Sequence, residues 1–235
     1  MHGCLHGEEG PTIVLAAGAG QDSRTWAPLV EELASIGRVV SFDRPGLGRS
    51  PDVEGPRTPT VIALEIRDLL ATLGVSGPAI LVGHSMGGIH VLRYADMFPE
   101  SVAGVLLLDT PPPGFEQDRM SLLSEHDKDQ RRRELAEGRA RAPVVVGRER
   151  DGADLESWEF SAFPVTRPLI VVVGDSQYFG ELGSQEAHRQ LWVRRSEEWL
   201  GLSRRSEFVV AAGSGHMIHH DRPQLVVELI RRLVR

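Results

Sequence analysis

Ser85 lies in Gly83-His84-Ser85-Met86-Gly87, directly after the apolar run Ala79-Ile80-Leu81-Val82 and directly before a segment with helical patterning. Strand, sharp turn and helix form the setting in which a serine hydroxyl is held exposed beyond a sheet edge on a strained backbone. Glycines at 83 and 87 avoid collisions with the neighbouring strand and helix. The N–H of Met86 can face negative charge developing on an attacked carbonyl, at a helix N-terminus that favours such charge. A serine hydroxyl is a weak nucleophile and needs a base. His216, in Gly213-Ser214-Gly215-His216 just after the strand-like residues 208–211, is the candidate. His219 and His220 fall one helical turn onward and read as surface residues or supports, and the His84 side chain is expected to point elsewhere. An imidazole base needs a carboxylate to fix its tautomer and stabilise its charged form. Asp109 and Asp175 both end strand-like runs between Ser85 and His216, and both fit the order Ser, Asp, His.

These residues must be brought together by the elements that carry them. Pro11-Thr12-Ile13-Val14-Leu15-Ala16-Ala17 is continuously apolar, as a strand buried on both faces would be. The loop 18–23 that follows is glycine-rich but lacks a phosphate-binding pattern and any lysine, so its N–H groups suit an oxyanion better. Helical periodicity covers 26–36, 58–73, 88–97, 184–200 and 223–233, with Asp221 and Pro223 opening the last of these. Further strands read at 38–42, 102–108 and 168–173. Trp192 and Trp199, seven apart, read as one core-facing stripe. Residues 114–165 are rich in charge and read as two or three short helices forming a small helical cap over a core built from 1–113 and 166–235. Within them Arg131-Arg132-Arg133 reads as a solvated helix face. Alternating strands and helices predict an α/β fold, a mostly parallel sheet with helices on both faces. Ligands bind such sheets at the carboxyl ends of the strands. The loops 18–23, 83–87, 109–111 and 213–216 all fall there.

Composition narrows the partners. With 235 residues, 41% hydrophobic, the chain can bury the core of one globular domain. A net charge of -7 argues against an electrostatic nucleic-acid binder. Lys128 is the only lysine and gives Schiff-base chemistry a poor candidate. The single cysteine, Cys4, excludes an intrachain disulfide; with His2 and His6 it reads as a loose N-terminal segment rather than a metal site. No long apolar run or secretory leader is visible, so a soluble, cytoplasmic protein with no membrane partner is expected, unless a leader was trimmed. Oligomeric state cannot be read from the sequence.

Gly83-His84-Ser85-Met86-Gly87-Gly88, Asp43-Arg44-Pro45-Gly46-Leu47-Gly48-Arg49-Ser50 and Gly213-Ser214-Gly215-His216 together resemble the motifs of the α/β-hydrolase superfamily, over nearly the whole chain. The resemblance implies a serine esterase-like hydrolase with a short cap, a sheet of about six or seven strands, no cofactor, no metal and a small ester or acyl substrate. It places the oxyanion donors at the N–H groups of Ala19 and Met86, although Ala17-Gly18 stands where relatives usually carry His-Gly. The usual acid position, three residues after the glycine closing the penultimate strand, is Gln177. A subset of relatives places the acid at the position of Asp109, which is therefore favoured, with Asp175 as the alternative. The superfamily also includes lactonases, perhydrolases and hormone receptors, so a lactonase, a perhydrolase or a catalytically weak ligand sensor are the competing expectations.

Overall fold

The computed structural model describes residues 1–156 and 159–234. Ser157, Trp158 and Arg235, which belong to the expected cap and core ranges, lie outside the described residues. Among the described residues, seven strands form one sheet in the order β1-β3-β2-β4-β5-β6-β7. They are β1 His2–His6, β2 Thr12–Ala16, β3 Arg38–Asp43, β4 Ala79–His84, β5 Val102–Leu108, β6 Leu169–Gly174 and β7 Ser206–Ala211. β2 through β7 pair in parallel, and β1 runs antiparallel to β3. The α/β fold is therefore as expected. The first residues are not a loose segment, however: His2–His6 are an edge strand in register with β3, tied down where the His2 N–H donates to Ser50 Oγ at 2.6 Å.

Alternate residues of each central strand feed two opposite cores. Val14, Val40, Leu81 and Leu107 face helices α2 (Pro59–Thr72) and α3 (Met86–Met97). Ile13, Leu15, Ile80 and Leu106 face α1 (Ala27–Ala34) and the last helix. Both faces are covered, which explains why these strands read as unbroken apolar runs. Helix starts follow their chemistry. Thr58 caps α2 by accepting from the Val61 N–H at 3.3 Å, with Pro59 as the first helical residue.

Between β5 and β6 the described residues form three helices, α4 Phe115–Ser121, α5 Glu125–Arg141 and α6 Val144–Leu155. α5 buries no residue, so ion pairs rather than an apolar stripe attach it. Arg131 is one of these attachments: half-buried, it donates to Glu116 of α4 at 2.7 and 2.9 Å, while Arg132 and Arg133 are exposed. The solvated-face reading thus holds for two of the three arginines. After β6 come α7 Gln185–Glu197, a short 3-10 segment Glu198–Leu202, β7, α8 Ile218–Asp221 and α9 Pro223–Val234. Trp192 sits on α7 and Trp199 on the 3-10 segment; both are buried. Among the described residues no helix is long and apolar enough to cross a membrane.

Candidate active site

Because β2 to β7 are parallel, the loops leaving β2, β4, β5 and β7 meet at one edge of the sheet. Ser85 follows β4 and precedes α3 with φ 51°, a left-handed conformation that costs a side-chain-bearing residue about 1–3 kcal/mol. Asp109, at the end of β5, is the other non-glycine residue with positive φ among the described residues, at 47°. The packing that enforces the Ser85 turn is tight. A Cβ at Gly83 would stand 2.5 Å from the Gly88 Cα, and one at Gly87 would strike the Ala16 carbonyl. The sharp turn therefore depends on glycine.

Asp109 is fully buried and meets His216, whose side chain is 38% exposed. His216 Nδ1–H donates to Asp109 Oδ2 at 2.6 Å, which leaves Nε2 as the basic nitrogen. The other carboxylate oxygen accepts from Trp192 Nε1–H at 2.8 Å and from the Gly174 N–H at 3.4 Å. The sequence pattern marked Trp192 as core; its indole is also a fixed donor to the acid, a role that spacing cannot reveal. Asp175 does not reach the imidazole. Its carboxylate accepts from Ser176 Oγ and from the Gly213 N–H, each at 2.8 Å, and these bonds hold its pKa below the usual carboxylate value. Asp221 is not the cap of α9; it accepts from the Gly215 N–H at 2.9 Å and so closes the loop that carries His216.

His84, expected to point elsewhere, and His219, read as a surface or supporting residue, are both packed under the site. His84 Nε2–H donates to the His216 carbonyl at 2.9 Å, and the two rings lie 4.7 Å apart. His219 is fully buried between Trp26 and His84, each 4.5 Å away, with Thr25 Oγ1 2.9 Å from Nε2. His220 remains at the surface. Burial holds His84 well below the ordinary histidine pKa, and burial together with its histidine neighbours pushes His219 down to about 3. Unfolded, His219 takes up a proton near pH 6.5; folded, it does not until about pH 3. The unfolded chain binds the extra proton across that window, so stability falls as pH drops from 6.5 towards 3. Between pH 7 and pH 5 this residue alone should cost about 2 kcal/mol of stability. Urea midpoints at the two pH values should show the loss, and His219→Gln should reduce it by about that amount, leaving the share of buried His84; an equally steep dependence in the variant would refute the assignment.

The loop after β2 is fixed from behind. Arg44, in the turn after β3, donates to the Ala17 carbonyl at 2.7 Å and to the Gly18 carbonyl at 2.9 Å. In a planar trans peptide C=O and N–H point in opposite directions, so anchoring the Gly18 oxygen turns the Ala19 N–H away from Arg44. A Cβ on Gly18 would lie 3.2 Å from the Ser85 Cβ, so this peptide runs beside the serine. The N–H groups of Ala19 and Met86 have no protein acceptor among the described residues. Among the described residues the Ser85 hydroxyl likewise makes no hydrogen bond, and such contacts often tighten only when substrate binds. The Arg44 guanidinium is in turn paired with Glu149 of α6 at 2.7 and 3.0 Å, both side chains wholly buried. Removing one partner strands a buried charge, so Glu149→Ala should lose about 3–5 kcal/mol. Urea denaturation checks this, and the double variant Arg44→Met/Glu149→Met should recover only part of the loss, because methionine leaves the Ala17 and Gly18 carbonyls without the Arg44 donors. Among the described residues no group of three or more His, Cys, Asp or Glu side chains could hold a metal ion.

Residues 13–229 match the model of the alpha/beta hydrolase family. This chain belongs to that family. A Bacillus subtilis relative, the uncharacterized protein YqjL, is 29% identical over 220 residues, covering 94% of this chain and 82% of its own. Among solved structures, a thermophilic esterase from Thermogutta terrifontis superposes with a TM-score of 0.67 at 23% identity, covering 100% of this chain and 92% of that one. The enol-lactonase from Burkholderia xenovorans LB400 superposes at 0.65 with 19% identity, covering 99% and 95%. At these identities the structural likenesses speak for the fold alone.

Proposed function

We propose that this alpha/beta hydrolase is a serine hydrolase acting on a small carboxylic ester or related acyl compound. Ser85 is the nucleophile, His216 the general base and Asp109 the acid that orients it; the N–H groups of Ala19 and Met86 form the oxyanion hole. The observation that carries the reading is the 2.6 Å contact between buried Asp109 and His216, built beside a serine held at positive φ. Ser85 Oγ attacks the carbonyl carbon as its proton passes to His216 Nε2, and the charged carbonyl oxygen is met by the two N–H groups. The leaving alkoxide departs with the proton from His216. Water, deprotonated by the same nitrogen, then cleaves the acyl-serine and restores the hydroxyl. No cofactor enters these steps. Residues 114–165 act as the cap that shapes the acyl pocket on the core of 1–113 and 166–235.

A lactonase reading uses the same residues on a cyclic ester, and a perhydrolase would change only the acyl acceptor. The ligand-sensor alternative drew on Gln177 at the usual acid position; Asp109 beside His216 removes the need for an acid there and favours the enzyme. Cleavage of short-chain p-nitrophenyl esters by wild type and by Ser85→Ala tests the proposal, and equal turnover in the two would overturn it.

A further inference from the structure

A cavity of about 760 Å³ opens beside Met86 and is walled on its apolar side by Phe115, Phe179 and Trp192. It touches the candidate site twice, through Met86 next to Ser85 and through Trp192, which holds Asp109. The polar side is unusual for a chain of net charge -7. Arg119, Arg131, Arg139 and Arg150 line it, against the acids Glu116 and Asp154. Three of the arginines are engaged. Arg131 is held by Glu116 at 2.7 Å, Arg119 donates to the Phe179 carbonyl, and Arg139 is held by Asp151 at 3.0 Å and Asp154 at 2.6 Å. Arg150 is different. Its i,i+4 neighbour on α6 is Asp154, the ordinary helical partner for it, but Asp154 is taken by Arg139. Among the described residues Arg150 has no carboxylate or hydrogen-bond acceptor, although it is half-buried in the cavity wall. An acidic protein thus concentrates positive charge, one guanidinium of it uncommitted, in a cavity that adjoins the candidate site.

We propose that the substrate carries a carboxylate on its acyl chain, bound by Arg150 while the ester carbonyl sits at Ser85. The inference rests on the acyl-transfer reading and specifies its substrate class: a half-ester of a dicarboxylic acid, or a lactone with a free carboxylate. The aromatic wall takes the methylenes between the two ends, and the planar guanidinium fork suits bidentate binding of the carboxylate.

The test compares monomethyl esters of dicarboxylic acids, from succinate to suberate, with methyl alkanoates in which a methyl group replaces the carboxylate. Wild-type kcat/KM should favour the charged ester by about 10- to 100-fold at its best chain length, the range of a charge-assisted contact. Arg150→Met should bring that ratio to near one. Arg133→Met, which alters an exposed charge outside the cavity, should leave it in place. A wild-type ratio near one at every length, or a ratio that Arg150→Met does not change, overturns the subsite while leaving the hydrolase reading standing. Calorimetric titration of the best half-ester into Ser85→Ala and Ser85→Ala/Arg150→Met separates the two claims, because it needs no turnover. Binding lost only in the second protein supports the subsite even if no ester is cleaved, and equal binding in both counts against it.

Discussion

Ser85→Ala should keep its fold and hydrolyse p-nitrophenyl acetate about a million-fold more slowly than wild type in kcat, the scale of losing the nucleophile of a Ser-His-Asp machine. The stability half of this result follows from the structure. The hydroxyl has no hydrogen-bond partner among the described residues, while the turn around it is enforced by Gly83 and Gly87 and by the Ser85 N–H, which donates to the Leu108 carbonyl at 2.9 Å. Alanine keeps all of that, so the unfolding free energy should stay within about 0.5 kcal/mol. The activity half follows from chemistry: without Oγ no acyl-enzyme can form, and what survives is binding and the two N–H donors. Retention of more than a few per cent of wild-type kcat in a folded variant would move the nucleophile elsewhere.

Asp109→Asn should cost on the order of 10⁴-fold in kcat, and Asp175→Asn less than about threefold. Trp192 Nε1–H and the Gly174 N–H both point at Oδ1 of Asp109, so the amide oxygen of asparagine is selected for that side. Its NH₂ must then face His216 Nδ1. Two donors cannot share one contact, so the imidazole moves its proton to Nε2 and presents no base to Ser85. The fold should survive, because the side chain keeps its shape and two of its bonds. Asp175 serves Ser176 and Gly213 and never meets the ring. Steady-state kinetics on the two variants decides the matter, and the opposite ranking would assign the acid to Asp175.

The sequence carries what is local. The glycine-flanked serine turn, the histidine loop and the alternation of strands and helices are each set by neighbours in the chain, and each appears where the pattern placed it. What it hid is non-local. β1 has five residues of mixed polarity, and only its pairing with β3, some forty residues on, makes it a strand. The choice between Asp109 and Asp175 could not be read from spacing, since both end strands; the tether from Asp175 to Gly213 distinguishes them in space. His219, read as a surface or supporting residue, is buried because Trp26 and Thr25 arrive from the other end of the chain, and His84, expected to point elsewhere, donates to the His216 carbonyl across 132 residues. Trp192 was legible as buried, but its indole N–H acquires meaning only across 83 residues, at Asp109.

The Arg44–Glu149 pair bears on how substrate range could be re-engineered in this protein. Exchanging the whole segment between β5 and β6 for that of a relative is the obvious way to transplant a pocket. Here such a graft would remove the counter-charge of a guanidinium that fixes the backbone carbonyls of Ala17 and Gly18. Chimeras that supply no carboxylate at the place of Glu149 should therefore lose stability whatever segment they bring, and neutralising Arg44 along with them would release the Ala17 and Gly18 carbonyls instead. Modularity in this molecule stops at one buried ion pair, and a library of transplanted segments should be filtered on that position before any screen for new substrates.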